Sequence, residues 1–186
     1  MFECIRYYAT EEEFGRFRDR LKLVHCPHCG RVGTLVLHGF LTGFPEYPTE
    51  SRIVRGRRIY CNKRRRRRAG CGRTVGILRA GWLRGFALTA VSLWRFFKGL
   101  VRGASARQAL CALGTDRHER GAGRLRDRLA QAQSRIRARL ARHVSVPEPP
   151  DGRDPSRATF AHLLAAFPDS PCPVAAFQHR FQDSFL

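Results

Sequence analysis

Two stretches decide how this chain is read: Cys26-Pro27-His28-Cys29-Gly30, and Tyr60-Cys61 joined through an insert to Gly70-Cys71-Gly72-Arg73-Thr74. Two thiolates separated by two residues can both reach one tetrahedral Zn2+. A glycine directly after them lets the backbone turn and aim amides at the sulfurs. A single pair is modest evidence, so a second is needed, and Cys61 and Cys71 supply it. One ends a strand-like run and the other begins the next. The spacing predicts a zinc ribbon over residues 25–79, with Cys26, Cys29, Cys61 and Cys71 as ligands. The second pair departs from the usual pattern. Nine residues, Asn62 to Gly70, separate its cysteines, where about two to four are typical. This is read as a knuckle expanded into a basic loop that still closes at the metal. His25, His28 and His38 are competing ligands, and ordinary buried thiols or a redox CxxC are the alternatives. Four protein ligands leave no open position for water or substrate, so the site reads as structural. A segment with few large apolar side chains would take much of its folding energy from the metal. Cys4, Cys111 and Cys172 are isolated and read as packing or incidental residues.

Around this segment the chain changes character. Thr34–His38, Arg52–Val54 and Arg58–Tyr60 favour strands, with Gly30, Gly33, Gly39 and Gly43 between them and Pro45 and Pro48 marking a loop. Upstream, residues 1–24 read as an N-terminal helix. Thr10 and Glu13 have capping-box spacing, and Phe14, Phe17 and Leu21 share a face. Downstream, residues 80–144 read as a helical domain. Leu88 to Val101 is apolar nearly all round, and a second helix starts at Ser105 with Gln108 in the capping position and Gly114 as its stop. A third, Arg124 to His143, carries the stripe Leu125, Leu129, Ala132, Ile136 and Leu140. Residues 145–157 form a Pro-rich linker. Residues 158–186 form a short helical tail, rich in Phe, that folds back or docks on a partner. The expected class is a small α+β protein: a helix, a ribbon of short antiparallel strands, then a helical part and tail.

Charge narrows the function. The 186 residues hold 35 Lys+Arg and 15 Asp+Glu, a formal net charge of +20, yet 43% are hydrophobic and thirteen are Phe. This is no disordered basic tail. No carboxylate occurs in the 65 residues from Ser51 to Thr115, which hold seventeen Lys+Arg. Self-repulsion at that density favours a polyanionic partner, nucleic acid first. The candidate contacts are Arg55, Arg57, Arg58, Lys63, Arg64, Arg65, Arg66, Arg67, Arg68, Arg73 and Arg107. Guanidinium forks suit phosphates and guanine edges. The competing reading is an arginine-rich composition on a solvated surface, since only Lys22, Lys63 and Lys98 are Lys. The start, MFECIRYYATEEE, lacks a basic region followed by an apolar run, and no stretch reaches membrane-spanning length. Seven cysteines are an odd number, so paired disulfides would leave one over, and clustered cysteines in a reducing compartment more often bind metal, so a cytoplasmic location is expected.

The pattern Cys26-Pro-His-Cys29-Gly, Leu37-His38-Gly39, Arg55-Gly56, Tyr60-Cys61 and Gly70-Cys71-Gly72-Arg73-Thr74 resembles the zinc-ribbon module of bacterial transposases and related mobile-element proteins. In those proteins a helix-turn-helix commonly follows the ribbon, and Gly103 to Gly114 resembles the start of one. The resemblance implies DNA binding, with the helices after Ser105 supplying sequence reading. A transposase would also carry a catalytic domain. Two-metal strand transfer needs converging carboxylates held on strands and a helix. Asp151, Asp154, Asp169 and Asp183 have no such setting, and no G-x-S-x-G or Walker loop occurs. A non-catalytic, zinc-dependent DNA-binding protein is therefore expected. The alternatives are an RNA-binding zinc ribbon and an interaction subunit. Stacking aromatics would favour RNA, but Tyr60 is the only aromatic between Arg52 and Arg79. An interaction subunit would pair with itself or a protein through the Leu125–Leu140 stripe or the Phe-rich tail.

Overall fold

The first described element is a strand, β1 (Cys4–Tyr8), where the sequence suggested an N-terminal helix over residues 1–24. The helix expected there is shorter: α1 covers Glu11–Asp19, followed by a single 3-10 turn at Leu21–Leu23. Its N-terminus is fixed as the spacing predicts. Thr10 Oγ1 accepts from the Glu13 amide at 3.2 Å, and the Glu13 carboxylate reaches back to the Ala9 amide at 2.8 Å. The structure, a computed structural model, describes residues 4–47, 51–63, 69–114, 120–145 and 154–186.

Three further strands follow: β2 (Leu35–Gly43), β3 (Ile53–Cys61) and β4 (Thr74–Arg79). The sheet order is β1-β4-β3-β2. The last three strands form the antiparallel meander expected of the ribbon, but β1 pairs with β4 in parallel, so the sheet is mixed. The physical reason is core supply. Residues 25–79 bring few large apolar side chains, and β1, α1 and the 3-10 turn bring Tyr8, Phe14, Phe17 and Leu21 to pack on Leu35, Ile59 and Ile77. The core on this face of the sheet is thus completed by residues that precede the cysteine-bearing segment. On the opposite face Tyr7, Leu78 and Ala80 pack with Leu41.

The rest is helical: α2 (Ala90–Val101), α3 (Ala106–Cys111), α4 (Arg120–Leu140), α5 (Pro155–Ala166) and α6 (Pro173–Phe181). Ser105 and Gln108 form both bonds of the predicted capping box on α3. Gly114 lies just beyond α3 with φ +65°. Gly99 of α2 faces α3 so closely that a Cβ there would meet the Ala109 Cβ at 3.0 Å. The stripe Leu125, Leu129, Ala132, Ile136 and Leu140 of α4 is buried in one core with Leu93, Phe96, Phe97, Leu163, Val174, Phe177 and Phe185. Helices α5 and α6 are therefore integral to that core, with Phe160 stacked on Trp94 at 4.5 Å. Of the two fates open to the tail, it folds back. Both surfaces expected to recruit a protein partner, the α4 stripe and the tail rings Phe177 and Phe185, are filled by the chain's own side chains. Of the linker expected over 145–157, only 145 and 154–157 are described, and 155–157 already belong to α5, which Asp154 caps. Among the described residues no helix is long and apolar enough to cross a membrane.

Sheet and helices are joined by α6. Buried Gln178 donates to the carbonyls of Ala80 (2.7 Å) and Trp82 (3.1 Å) and accepts from the Phe185 amide. Gln182 bonds both the amide and the carbonyl of Tyr7. His179 Nε2 lies 2.9 Å from Glu13, so that one carboxylate serves the α1 cap and the junction together.

Candidate metal centre

Two turns at one end of the sheet build the centre. The first runs from the short 3-10 turn into β2. The Cys26 amide donates to the Arg31 carbonyl at 2.9 Å and the Gly30 amide to the Cys26 carbonyl at 2.8 Å. Gly30 sits at φ +68°, where a side chain would be strained. The amides of His28 and Cys29 are thereby aimed at the Cys26 sulfur.

The second turn joins the end of β3 to β4, and its nine-residue insert is pinched shut at the base. The Gly70 amide donates to the Asn62 carbonyl at 2.6 Å, the Gly72 amide to the Cys61 carbonyl at 2.9 Å, and the Cys71 amide to Cys61 Sγ at 3.3 Å. A Cβ on Gly70 would lie 2.3 Å from Cys61 Sγ, so only glycine allows this closure. The backbone thus brings Cys61 and Cys71 together despite their spacing, as the sequence led us to expect. Arg64–Arg68, the middle of the insert, lie outside the described residues. Arg31 reaches across from the first turn to the Ala69 carbonyl.

All four sulfurs, of Cys26, Cys29, Cys61 and Cys71, lie within 4.8 Å of one another. Cys26 faces Cys71 at 3.7 Å and Cys29 faces Cys61 at 3.8 Å. A disulfide would bring sulfurs to about 2.05 Å, and all four cysteines are free thiols. Four thiolates at about 2.3 Å from one zinc stand about 3.8 Å apart along each tetrahedral edge. The cluster is thus of a size to hold a metal ion. His25, His28 and His38 are not in it. His28 Nδ1 lies 3.5 Å from Arg73, and the His38 ring packs on Tyr60 at 5.3 Å.

The thiols differ in acidity. Burial pushes Cys26 up to about 12, against the pull of the His28 and Cys29 amides. Burial acts on Cys61 too. There the Thr34 hydroxyl, the Cys71 amide and the neighbouring thiols outweigh it and bring the group down to about 7. Sequence reasoning missed Thr34, whose Oγ1 lies 3.2 Å from Cys61 Sγ. The signal was its position opening β2, where its carbonyl also accepts from the Asn62 amide at 2.9 Å.

The basic candidates fall into two groups. Arg55 stacks over Trp82 at 4.5 Å and donates to the carbonyls of Phe86 and Phe44, tying the sheet to the loop before α2. Arg57 lies between the rings of Phe14 and Phe40 and pairs with Glu11 at 3.0 Å. These two hold the fold together. Lys63, Arg73 and Arg107 are exposed, and Arg58 is half-buried on β3. Lys63 and Arg73 flank the second knuckle, and Arg107 is on α3, so the structure does not gather the set onto one element. Cys111 is exposed and Cys172 buried, both remote in sequence from the cluster, while the Cys4 side chain lies outside the described set.

Compared with protein families, with curated proteins and with solved structures, the chain gives no match.

Proposed function

We propose that this is a non-catalytic, zinc-dependent DNA-binding protein of the kind carried by transposases and other mobile elements. The observation that carries the metal half is the four-sulfur cluster, whose 3.7 and 3.8 Å contacts match a tetrahedral zinc edge. Thiolate ligands select a soft or borderline cation, and zinc adds no redox chemistry. Bound there, Zn2+ would crosslink the two turns and would be fully enclosed by protein ligands. No position would remain for a water nucleophile, which supports a structural role. Cys61 and Cys26 would bind only as thiolates, so metal loading releases protons. A zinc tetrathiolate carries two net negative charges, and Arg31, Lys63 and Arg73 stand on the turns that enclose it.

The nucleic-acid half rests on the charge of +20 and on the run Lys63–Arg68, which lies in sequence between Cys61 and Cys71. In this reading the basic loop is anchored by the metal and contacts phosphates with Lys63, Arg58 and Arg73. Helices α2 to α4 follow in the order a helix-turn-helix would need, with Arg107 on α3.

The test is metal analysis of the purified full chain followed by a binding titration. One zinc per chain is expected, lost in a Cys26→Ser, Cys61→Ser double variant. Zinc-loaded protein is then offered sites enriched from a random duplex pool, bulk duplex and structured RNA at two salt concentrations. A preference of about a thousandfold or more for enriched duplex that survives higher salt supports sequence reading by the helices. Equal binding that collapses with salt leaves only a phosphate clamp. Preference for RNA, or full zinc in the double variant, refutes the reading.

A further inference from the structure

The β2–β3 hairpin carries an arrangement that duplex binding does not use. Strand β2 is the outer strand of the sheet. On it and just beyond it, Phe40 is 59% exposed, Phe44 61%, Tyr47 47% and Leu37 46%. Isolated exposed rings are common, but these two phenylalanines share a device. The Arg57 guanidinium lies 4.5 Å from the Phe40 centroid, and that of Arg52 lies 5.1 Å from the Phe44 centroid. Each ring therefore has a cation over one face while much of its surface is open to solvent. Arg57 is held from behind by Phe14 and Glu11, which fixes the Phe40 platform before any ligand arrives. The sequence hid this interleaving. Phe40 is on β2 and Arg57 on β3, with Phe44 just past β2 and Arg52 just before β3, and only the pairing of the two strands brings them side by side.

We propose that this hairpin is a stacking surface for unpaired nucleotides, with the bases of a single-stranded DNA segment lying on Phe40 and Phe44. The inference rests on the DNA-binding reading above and extends it to the unpaired state. A planar ring beside a guanidinium group matches the two parts of a single strand, a base with an exposed π-face and a phosphate. Duplex bases offer no such face. Charge selects against the other occupant of an open edge, a second copy of this chain, because two molecules of net charge +20 would meet arginine to arginine. The hairpin's one described carboxylate, Glu46, accepts from the Thr89 hydroxyl at 2.9 Å and is a single negative charge against Arg52, Arg55, Arg57 and Arg58.

The experiment uses the zinc-loaded full chain and fluorescence anisotropy with a labelled fifteen-residue oligo(dT) and with a duplex of equal length. Phe40→Ala and Phe44→Ala should each weaken oligo(dT) binding roughly 5- to 150-fold, with duplex binding changed less than about twofold. Phe40→Leu keeps the apolar bulk and should lose as much as Phe40→Ala. Phe40→Trp should retain affinity and show an added tryptophan quench on binding. The proposal is overturned if oligo(dT) affinity is unchanged in both alanine variants, or if Phe40→Leu binds like the parent. It is equally overturned if the parent sediments as a dimer that Phe40→Ala dissociates. A parent that binds duplex but not oligo(dT) sinks this inference alone. A parent that binds neither sinks the DNA reading with it.

Discussion

Replacing Gly70 with alanine is the sharpest probe of how the expanded knuckle closes. An added Cβ would stand 2.3 Å from Cys61 Sγ and 2.8 Å from the Asn62 carbonyl oxygen. Comfortable heavy-atom contact begins at about 3.5 Å, so the backbone must retreat by roughly 1 Å or more. Retreat breaks the bond from the Gly70 amide to Asn62 and disturbs that from the Cys71 amide to Cys61 Sγ. The first is a neutral hydrogen bond and the second, with metal bound, ends on a thiolate, so together they are worth about 2–4 kcal/mol. Read as metal affinity, this is roughly a 30- to 1000-fold loss. Gly30→Ala is the matched control. It sits at φ +68° with nothing within 4 Å of the added atom, so it carries only the left-handed backbone cost of about 1–2 kcal/mol. Competition against a chromophoric zinc chelator measures both. A Gly70→Ala variant that binds zinc within threefold of the parent would refute the claim that this contact closes the centre.

Other predictions concern the frame around the centre. Gln178→Leu leaves the Phe185 amide and the Ala80 carbonyl without their partner inside the junction. It should cost about 2–4 kcal/mol in urea unfolding at unchanged zinc content. His162 is buried in α5, and burial is the main cause of its lowered pKa, with Arg137 acting in the same direction and the Val144 carbonyl opposing. The unfolded chain then binds the extra proton first, so stability should fall as the pH drops below about 6.5. His162→Leu should flatten that slope in urea midpoints measured from pH 7.5 to 5.5, and an unchanged slope would contradict it. The pKa of Glu13 is lowered although burial opposes this, because the Ala9 amide, His179 and Arg6 favour its charge. Its contribution is present above about pH 4.3 and lost as the pH falls through its lower folded value. Glu13→Gln should cost at most about 1 kcal/mol at pH 7 and remove that acid-side loss.

The centre was legible because thiol spacing is local chemistry: Cys26 and Cys29 announce themselves within four residues, and Cys61 and Cys71 follow from strand ends. The α3 cap was legible for the same reason. What escaped was non-local. Strand β1 shows no alternation because Tyr7 and Tyr8 point to opposite faces and both are buried. Its partner β4 lies some seventy residues away. The count of arginines was visible, but not that Arg55 and Arg57 serve the interior, since stacking on Trp82 and Phe14 depends on tertiary approach. The boundary of α4 moved from Arg124 to Arg120 because its Gly-containing first turn lacks apolar periodicity.

The clasp between Tyr7 and Gln182 joins residues 175 positions apart. During synthesis the first strand leaves the ribosome long before its clasp does. At about 5–20 residues per second, β1 waits roughly 10–35 s for α6. Until then the Tyr7 amide and carbonyl lack the Gln182 side chain that bonds them in the folded protein. The last described helix is therefore placed as a latch: Gln182, one residue past α6, holds both the amide and the carbonyl of Tyr7, and neither bond can form before that residue has been made.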